Sequence, residues 1–141
     1  MVAFLLRPIK PRWLHLSFPS TLYLCPILEL LLQEVPQELQ CEVRLGLQEA
    51  LVNAAKHGNG LSPSKFVSVR YARFQDRHEW VIADQGEGFR PPHICTPPLP
   101  NDVLPEDGCE CGRGLYILFQ IFDQVQWNAA GTELSLAKYL D

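Results

Sequence analysis

Three short motifs hold residues whose types and spacing could support chemistry: E-x-x-x-N at 49–53, D-x-G-x-G at 84–88 and G-R-G at 112–114. The G-R-G triplet stands where a helix is expected to begin, and free N–H groups, the helix dipole and a guanidinium together suit a phosphate chain. Each motif is weak alone, because Glu49 and Asn53 also fit an ordinary helical pair and the glycine motifs also fit a tight turn or a flexible helix entry. Their combination in this order is much more specific.

The E-x-x-x-N pair lies on a long amphipathic segment, ELQCEVRLGLQEALVNAAKHGNG, at residues 38–60. At about 100° per residue, its apolar residues form one stripe of a helix. Glu42, Glu49, Asn53 and Lys56 form the adjacent polar stripe, and a smaller apolar patch lies beyond them. A polar stripe between two apolar surfaces indicates a cleft rather than open solvent.

The remaining elements follow from periodicity and from proline and glycine. Alternating and helical patterns predict strands at 13–18, 66–74, 78–84, 125–127 and 132–139, and helices at 22–34 and from residue 112. Ser20 and Thr21 are expected to cap the first helix, and residues 58–60 to end the second in left-handed conformations. The first strand stops at a proline and is expected at a sheet edge. The order predicts an α+β two-layer sandwich, with a mixed, mostly antiparallel sheet and helices on one face.

The length and composition bound the domain organisation. The chain has 141 residues, which suits one core, so we expect an extension at 1–12 and a single domain at 13–141. Residues 85–111 contain six prolines and no regular pattern. A loop of this length rarely lacks a purpose, and it is interpreted as a lid. The three tryptophans are expected to pack on the sheet.

Charge and cysteine content exclude several classes of protein. The net charge of −4 and the lack of a basic run disfavour a nucleic-acid partner. The apolar run before Arg7 is too short for a signal peptide or a membrane span. The cysteines are odd in number, and Cys109 and Cys111 have the wrong spacing for a zinc or thioredoxin motif. A cytoplasmic, reduced setting is expected, with a redox role for these two cysteines left open.

The combined motifs resemble those of the GHKL, or Bergerat-fold, ATPases, and most closely the small anti-sigma-factor serine/threonine kinases. The resemblance runs from about residue 13 to the end of the chain and is carried by LQEALVNAAKHGN, VIADQGEGF, GRGLYILFQIFDQVQW and GTELSLAKYL. It implies the Bergerat fold, ATP and Mg²⁺ as cofactors, and a protein kinase that phosphorylates a small antagonist protein. It also implies binding of a sigma factor in a partner-switching system, and a homodimer formed by the edge strand at 13–18.

The resemblance assigns a role to each motif residue. Asn53 is similar to the asparagine that binds Mg²⁺ through its amide oxygen, and Glu49 to the catalytic carboxylate that orients or deprotonates the target hydroxyl. Asp84 is similar to the aspartate that accepts a hydrogen bond from the adenine amino group. The other residues implied to contact the nucleotide are Gly86, Gly88, Gly112, Arg113, Gly114 and Thr132.

Two other interpretations fit the same motifs. The first is a catalytically inactive module, either ATP-binding or nucleotide-free, that sequesters a regulatory partner. The second is a plain α+β domain with a fortuitous D-x-G-x-G turn. Phosphate transfer to a protein substrate distinguishes the kinase from the first alternative, and stabilisation by Mg·ATP distinguishes it from the second.

Overall fold

The computed structural model describes residues 11–88 and 110–140, except for the side chains of 110–113. The predicted lid is therefore described only at its two ends. The strands are β1 (Leu14–Pro19), β2 (Phe66–Arg73), β3 (Arg77–Ala83), β4 (Gln124–Trp127) and β5 (Glu133–Tyr139). The helices are α1 (Cys25–Leu32), α2 (Gln37–Val52) and α3 (Glu110–Ile121), and a π-helical turn (Asn53–Gly58) continues α2.

The strands form one sheet in the order β1-β2-β3-β5-β4, and each neighbouring pair is antiparallel. The predicted α+β class is confirmed, and β1 lies at an edge of this sheet as expected. Opposed residues share a face, so the register places Leu16, Val69, Ile82 and Leu134 in one row across four strands. This row belongs to the hydrophobic core that the helices also enter.

The first helix is shorter than predicted. It begins after Leu24, and no side chain caps it, so the prediction that Ser20 and Thr21 cap the helix was wrong. The two hydroxyls have other partners: Ser20 Oγ donates to the Lys65 carbonyl at 2.8 Å, and Thr21 Oγ1 accepts from the Tyr23 N–H at 3.0 Å. Pro26 lies in the first turn of α1, where a missing N–H is tolerated as predicted.

The second helix ends where the sequence predicted, but by a different geometry. The Asn59 N–H bonds the Ala54 carbonyl, five residues back, at 2.9 Å, so the last turn is wider than an α-helical turn. Asn59 itself has a right-handed φ of −89°. The left-handed residues are Gly60, with φ of 61°, and Leu61, with φ of 56°. Of residues 58–60, Gly60 is left-handed as predicted, whereas Asn59 is not.

Helices α2 and α3 approach closely because Gly46 has no side chain. A Cβ on Gly46 would lie 2.5 Å from Cε2 of Phe122, and both residues are buried. The α3 helix begins at Glu110, two residues before the predicted start at Gly112. Within the described residues, no helix combines the length and the apolar character needed to cross a membrane.

Candidate functional site

A cleft of about 400 Å³ opens beside the end of α2, which is within the size range of small-molecule sites. Four of the residues singled out from the sequence line it: Asn53, Asp84, Gly88 and Thr132. The side chains or backbone of further residues complete the lining, among them Ala54, His57, Gly58, Asn59, Lys65, Ile82, Leu115, Trp127 and Leu134. The lining of the cleft therefore combines apolar side chains with polar and titratable groups.

Asp84 lines the cleft directly after β3. Its backbone N–H donates to the Thr132 carbonyl at 2.9 Å, which fixes the strand end against the start of β5. Its Oδ1 accepts the Gly86 N–H at 2.8 Å. Burial raises the pKa of the Asp84 carboxyl, while the Gly86 N–H and the Lys65 charge act in the opposite direction. A partly desolvated acceptor of this kind suits a ligand amino group, which would restore the hydrogen bonds lost on burial.

The glycines around Asp84 allow close backbone packing. A Cβ on Gly58 would lie 2.5 Å from Cγ of Asp84, and a Cβ on Gly86 would overlap the Gly58 carbonyl oxygen. Gly88 has φ of 102°, a conformation that side chains rarely allow, and a Cβ there would overlap the Ala130 carbonyl oxygen. The D-x-G-x-G segment therefore lies directly against the end of the π-helical turn.

Of the E-x-x-x-N pair, Asn53 lines the cleft, whereas Glu49 is not among the lining residues. Asn53 starts the π-helical turn and Glu49 lies one turn earlier on α2, where it is half-buried. A Cβ on Gly114 would lie 3.2 Å from Oε2 of Glu49 and 3.3 Å from Nδ2 of Asn53. The third motif is thus brought against the first. Gly112 and Arg113 lie in the first turn of α3, and the placement of the Arg113 side chain is outside the described residues.

The donor set fits magnesium bound together with phosphates. Among the described residues, no group of three or more His, Cys, Asp or Glu side chains could hold a metal by itself. Magnesium usually takes only one or two protein oxygens and fills its shell with water and substrate phosphates. The amide oxygen of Asn53, which lines the cleft and lies close to Gly114 in α3, is an appropriate single protein ligand for such an ion.

Sequence reasoning missed two residues of the site. Trp127 was assigned only to sheet packing, yet it also lines the cleft, and its ring centroid is 6.4 Å from that of Phe119. Asn59 was assigned only to ending α2, yet it is 2% exposed and hydrogen-bonded to three other segments. The sequence signal for Asn59 was weak, since an asparagine between two glycines is usual at a helix end.

Comparison with known proteins agrees with this geometry. The model of the histidine kinase-like ATPase domain matches residues 27–138, a range that includes all three motifs. The chain is similar to serine-protein kinase RsbW of Bacillus subtilis strain 168, with 29% identity over 104 residues, which are 71% of this chain and 64% of that protein. RsbW of Bacillus velezensis is 30% identical over 104 residues, with the same coverage of 71% and 64%.

RsbW of Oceanobacillus iheyensis is 28% identical over 102 residues, which are 70% of this chain and 65% of that protein. The aligned region thus spans somewhat less than two thirds of the length of these curated relatives. The family match is far broader than any single motif, and it confirms the resemblance to the GHKL ATPases. The chain belongs to the histidine kinase-like ATPase domain family.

Proposed function

We propose that this protein is a Mg·ATP-dependent serine/threonine protein kinase that acts as an anti-sigma-factor-type regulator. In this proposal it phosphorylates a small antagonist protein and binds a sigma factor in a partner-switching system. The observation that carries the proposal is that Asn53 and Asp84 line the same cleft, while Glu49 and Asn53 both approach Gly114 of α3. The similarity to proteins named serine-protein kinase supports the same activity.

The residues of the cleft have different roles in this proposal. Asp84 accepts a hydrogen bond from the adenine amino group, and Thr132 lies beside it. Asn53 contributes its amide oxygen to Mg²⁺, and the N-terminus of α3, which carries Arg113, lies over the phosphates. Bound ATP would supply the phosphoryl group, and Mg²⁺ would neutralise the charge that develops during its transfer.

Glu49 is the residue proposed to act on the target hydroxyl. Its carboxylate lies one helical turn from Asn53, on the same face of α2 and against the start of α3. From this position it orients the incoming hydroxyl and accepts its proton, a contribution of about 10²–10⁴ in rate for a general base. Glu49 is expected to contribute little to nucleotide affinity, because the base and phosphate contacts are made by other residues.

The proposal extends to the organisation of the protein. Residues 13–141 form a single kinase domain after an extension at 1–12, and the protein acts in the cytoplasm. Two copies pair through β1, which is one of the two edge strands of the sheet in the described part of the chain. An edge strand offers unpaired backbone groups, and a two-fold axis satisfies them on both copies.

The test is phosphate transfer from labelled ATP to a candidate antagonist protein that carries a target serine. Glu49→Gln is expected to reduce transfer by roughly 100-fold or more, with the ATP dissociation constant within about twofold of the wild type. The matched control is Glu42→Gln on the same helix, because Glu42 pairs with Lys138 at 3.4 Å instead of facing the cleft. This control should keep full activity.

The possible outcomes separate the competing functions. Equal transfer by the wild type and Glu49→Gln contradicts the role of Glu49. ATP binding with no transfer to any antagonist favours the inactive module that sequesters a partner. No thermal shift with Mg·ATP, where a ligand at 100 times its dissociation constant adds about 2.7 kcal/mol, contradicts nucleotide binding itself.

A further inference from the structure

Asn59 is a buried polar residue that the proposed mechanism does not use. It follows the π-helical turn and is 2% exposed. Its backbone N–H is bonded to the Ala54 carbonyl at 2.9 Å, and its carbonyl accepts the Ser62 N–H at 3.2 Å. Both backbone groups are therefore engaged locally, and the side chain is directed away from its own helix toward other segments.

The Asn59 side chain joins three segments that are distant in sequence. Its Oδ1 accepts the backbone N–H of Gln85 at 2.7 Å. Its Nδ2 donates to the Phe66 carbonyl at 3.0 Å and to Ser20 Oγ at 2.9 Å. An amide is suited to this position, because it accepts through one end and donates two hydrogen bonds through the other.

Gln85 is held by a second hydrogen bond. Gln85 Oε1 accepts the Phe66 N–H at 2.7 Å, so the start of β2 and Asn59 hold both the side chain and the backbone of Gln85. Gln85 lies between Asp84 and Gly86. The segment that places the Asp84 carboxylate is therefore bonded to the same helix end that carries Asn53.

We propose that Asn59 is a positioning residue that holds the Asp84 loop against the end of α2 and thereby sets the preference of the site for adenine. This inference rests on the proposed ATP-binding function. The Oδ1 bond to Gln85 is the part that acts on the loop, and the two Nδ2 bonds join Asn59 to Phe66 and Ser20. Loss of Oδ1 leaves the partly buried Gln85 N–H without its partner and frees Asp84 to shift.

The test compares the affinities for ATP and for inosine triphosphate, which has a carbonyl in place of the adenine amino group. A correctly placed Asp84 accepts a hydrogen bond from ATP and repels the inosine carbonyl, so the wild type should prefer ATP. Asn59→Ala is expected to weaken ATP binding roughly tenfold, equivalent to about 1.4 kcal/mol. Binding of inosine triphosphate should change less than about twofold, so the preference for ATP falls.

Two further variants separate positioning from general loss of stability. Asn59→Asp keeps the acceptor for the Gln85 N–H and loses both donated bonds, so it should restore the preference for ATP to within about threefold of the wild type even with a lower Tm. Ser20→Ala removes one of the acceptors of Nδ2 and leaves the Gln85 bond, so it should keep the wild-type preference. If Ser20→Ala lowers the preference for ATP as much as Asn59→Ala does, the proposal is overturned.

The proposal is also overturned if Asn59→Ala weakens the binding of both nucleotides equally, or if it leaves the preference for ATP unchanged. The wild-type protein supplies a measurement that needs no variant. By NMR, the Gln85 amide should exchange with solvent at least roughly tenfold more slowly than the Glu87 amide, and an unprotected Gln85 amide contradicts the network. A wild type that binds neither nucleotide refutes the proposed function, whereas a wild type that binds ATP with no dependence on Asn59 refutes only this inference.

Discussion

Replacing Gly46 with alanine tests how tightly the helices that carry the site are packed. A Cβ at this position would lie 2.5 Å from Cε2 and 2.9 Å from Cζ of Phe122, and 3.3 Å from Cδ1 of Ile121. The Phe122 ring is itself 4% exposed and packs edge-on against Trp80, with ring centroids 5.7 Å apart. Because Trp80 is fully buried, the Phe122 ring has little room to move away.

Two opposing contributions determine the size of the effect. Alanine is favoured over glycine in a helix interior by about 1 kcal/mol, whereas inserting a carbon into a packed core costs about 1–3 kcal/mol. The contacts with Phe122 are well below van der Waals distance, so the packing cost should be near the top of its range. We expect Gly46→Ala to lower the free energy of unfolding by about 1–2 kcal/mol.

The same substitution should have the opposite sign in a Phe122→Leu background. Leucine lacks the ring atoms Cε2 and Cζ, so the added Cβ keeps only the 3.3 Å contact with Cδ1 of Ile121, and the helix propensity of alanine is gained. Gly46→Ala is then expected to stabilise the Phe122→Leu protein by about 0.5–1 kcal/mol. Urea unfolding of the four proteins, with unchanged m-values, measures the coupling.

An effect of Gly46→Ala that is the same in both backgrounds, to within about 0.5 kcal/mol, would refute the steric explanation. Ile121→Val is the matched control, because it removes only the more distant Cδ1 contact at 3.3 Å. In that background Gly46→Ala should remain destabilising.

Three further outcomes follow from the site and the core. Burial raises the pKa of Asp84, so the ionised carboxylate is unfavourable in the free protein at neutral pH. Asp84→Asn should keep or raise the Tm in thermal unfolding while calorimetry shows ATP affinity lowered roughly tenfold or more. Burial lowers the pKa of His78 below its ordinary value of 6.5, so the unfolded chain binds the proton more readily and stability should fall as the pH drops below about 6.5. Urea denaturation at several pH values should show this fall in stability for the wild type and not for His78→Phe. Gly86→Ala places a Cβ on the Gly58 carbonyl, a backbone atom that cannot rotate away, so stability should fall by about 1–3 kcal/mol and titration should show weaker ATP binding.

The elements that depend on local pattern were predictable from the sequence. Strand alternation predicted β2 and β3, including the buried positions Val67, Val69 and Trp80, since period-two burial is a property of each strand by itself. The proline at the end of β1 predicted its edge position, because proline has no N–H to donate to a neighbouring strand. The pairing order of the sheet was not predictable, because it depends on contacts between segments far apart in the chain.

The errors at the helix ends also have a long-range cause. The hydroxyl of Ser20 was free to cap α1 as far as local sequence shows, but it bonds Lys65, which is 45 residues away. Asn59 similarly has partners 26 and 39 residues away, in Gln85 and Ser20. Where a side chain can bond either a local helix end or a distant backbone group, the tertiary structure determines which partner it takes.

The π-helical turn explains how two motifs from separate segments form one site. With the hydrogen bond from Asn59 to Ala54, the turn contains one residue more than an α-helical turn. Asn53 therefore stays beside Glu49 and the start of α3, while Asn59 reaches the loop after β3. The helix end that carries Asn53 and the loop that carries Asp84 are joined through this turn before any ligand binds. Fewer groups then have to be ordered on binding, which favours affinity without additional contacts.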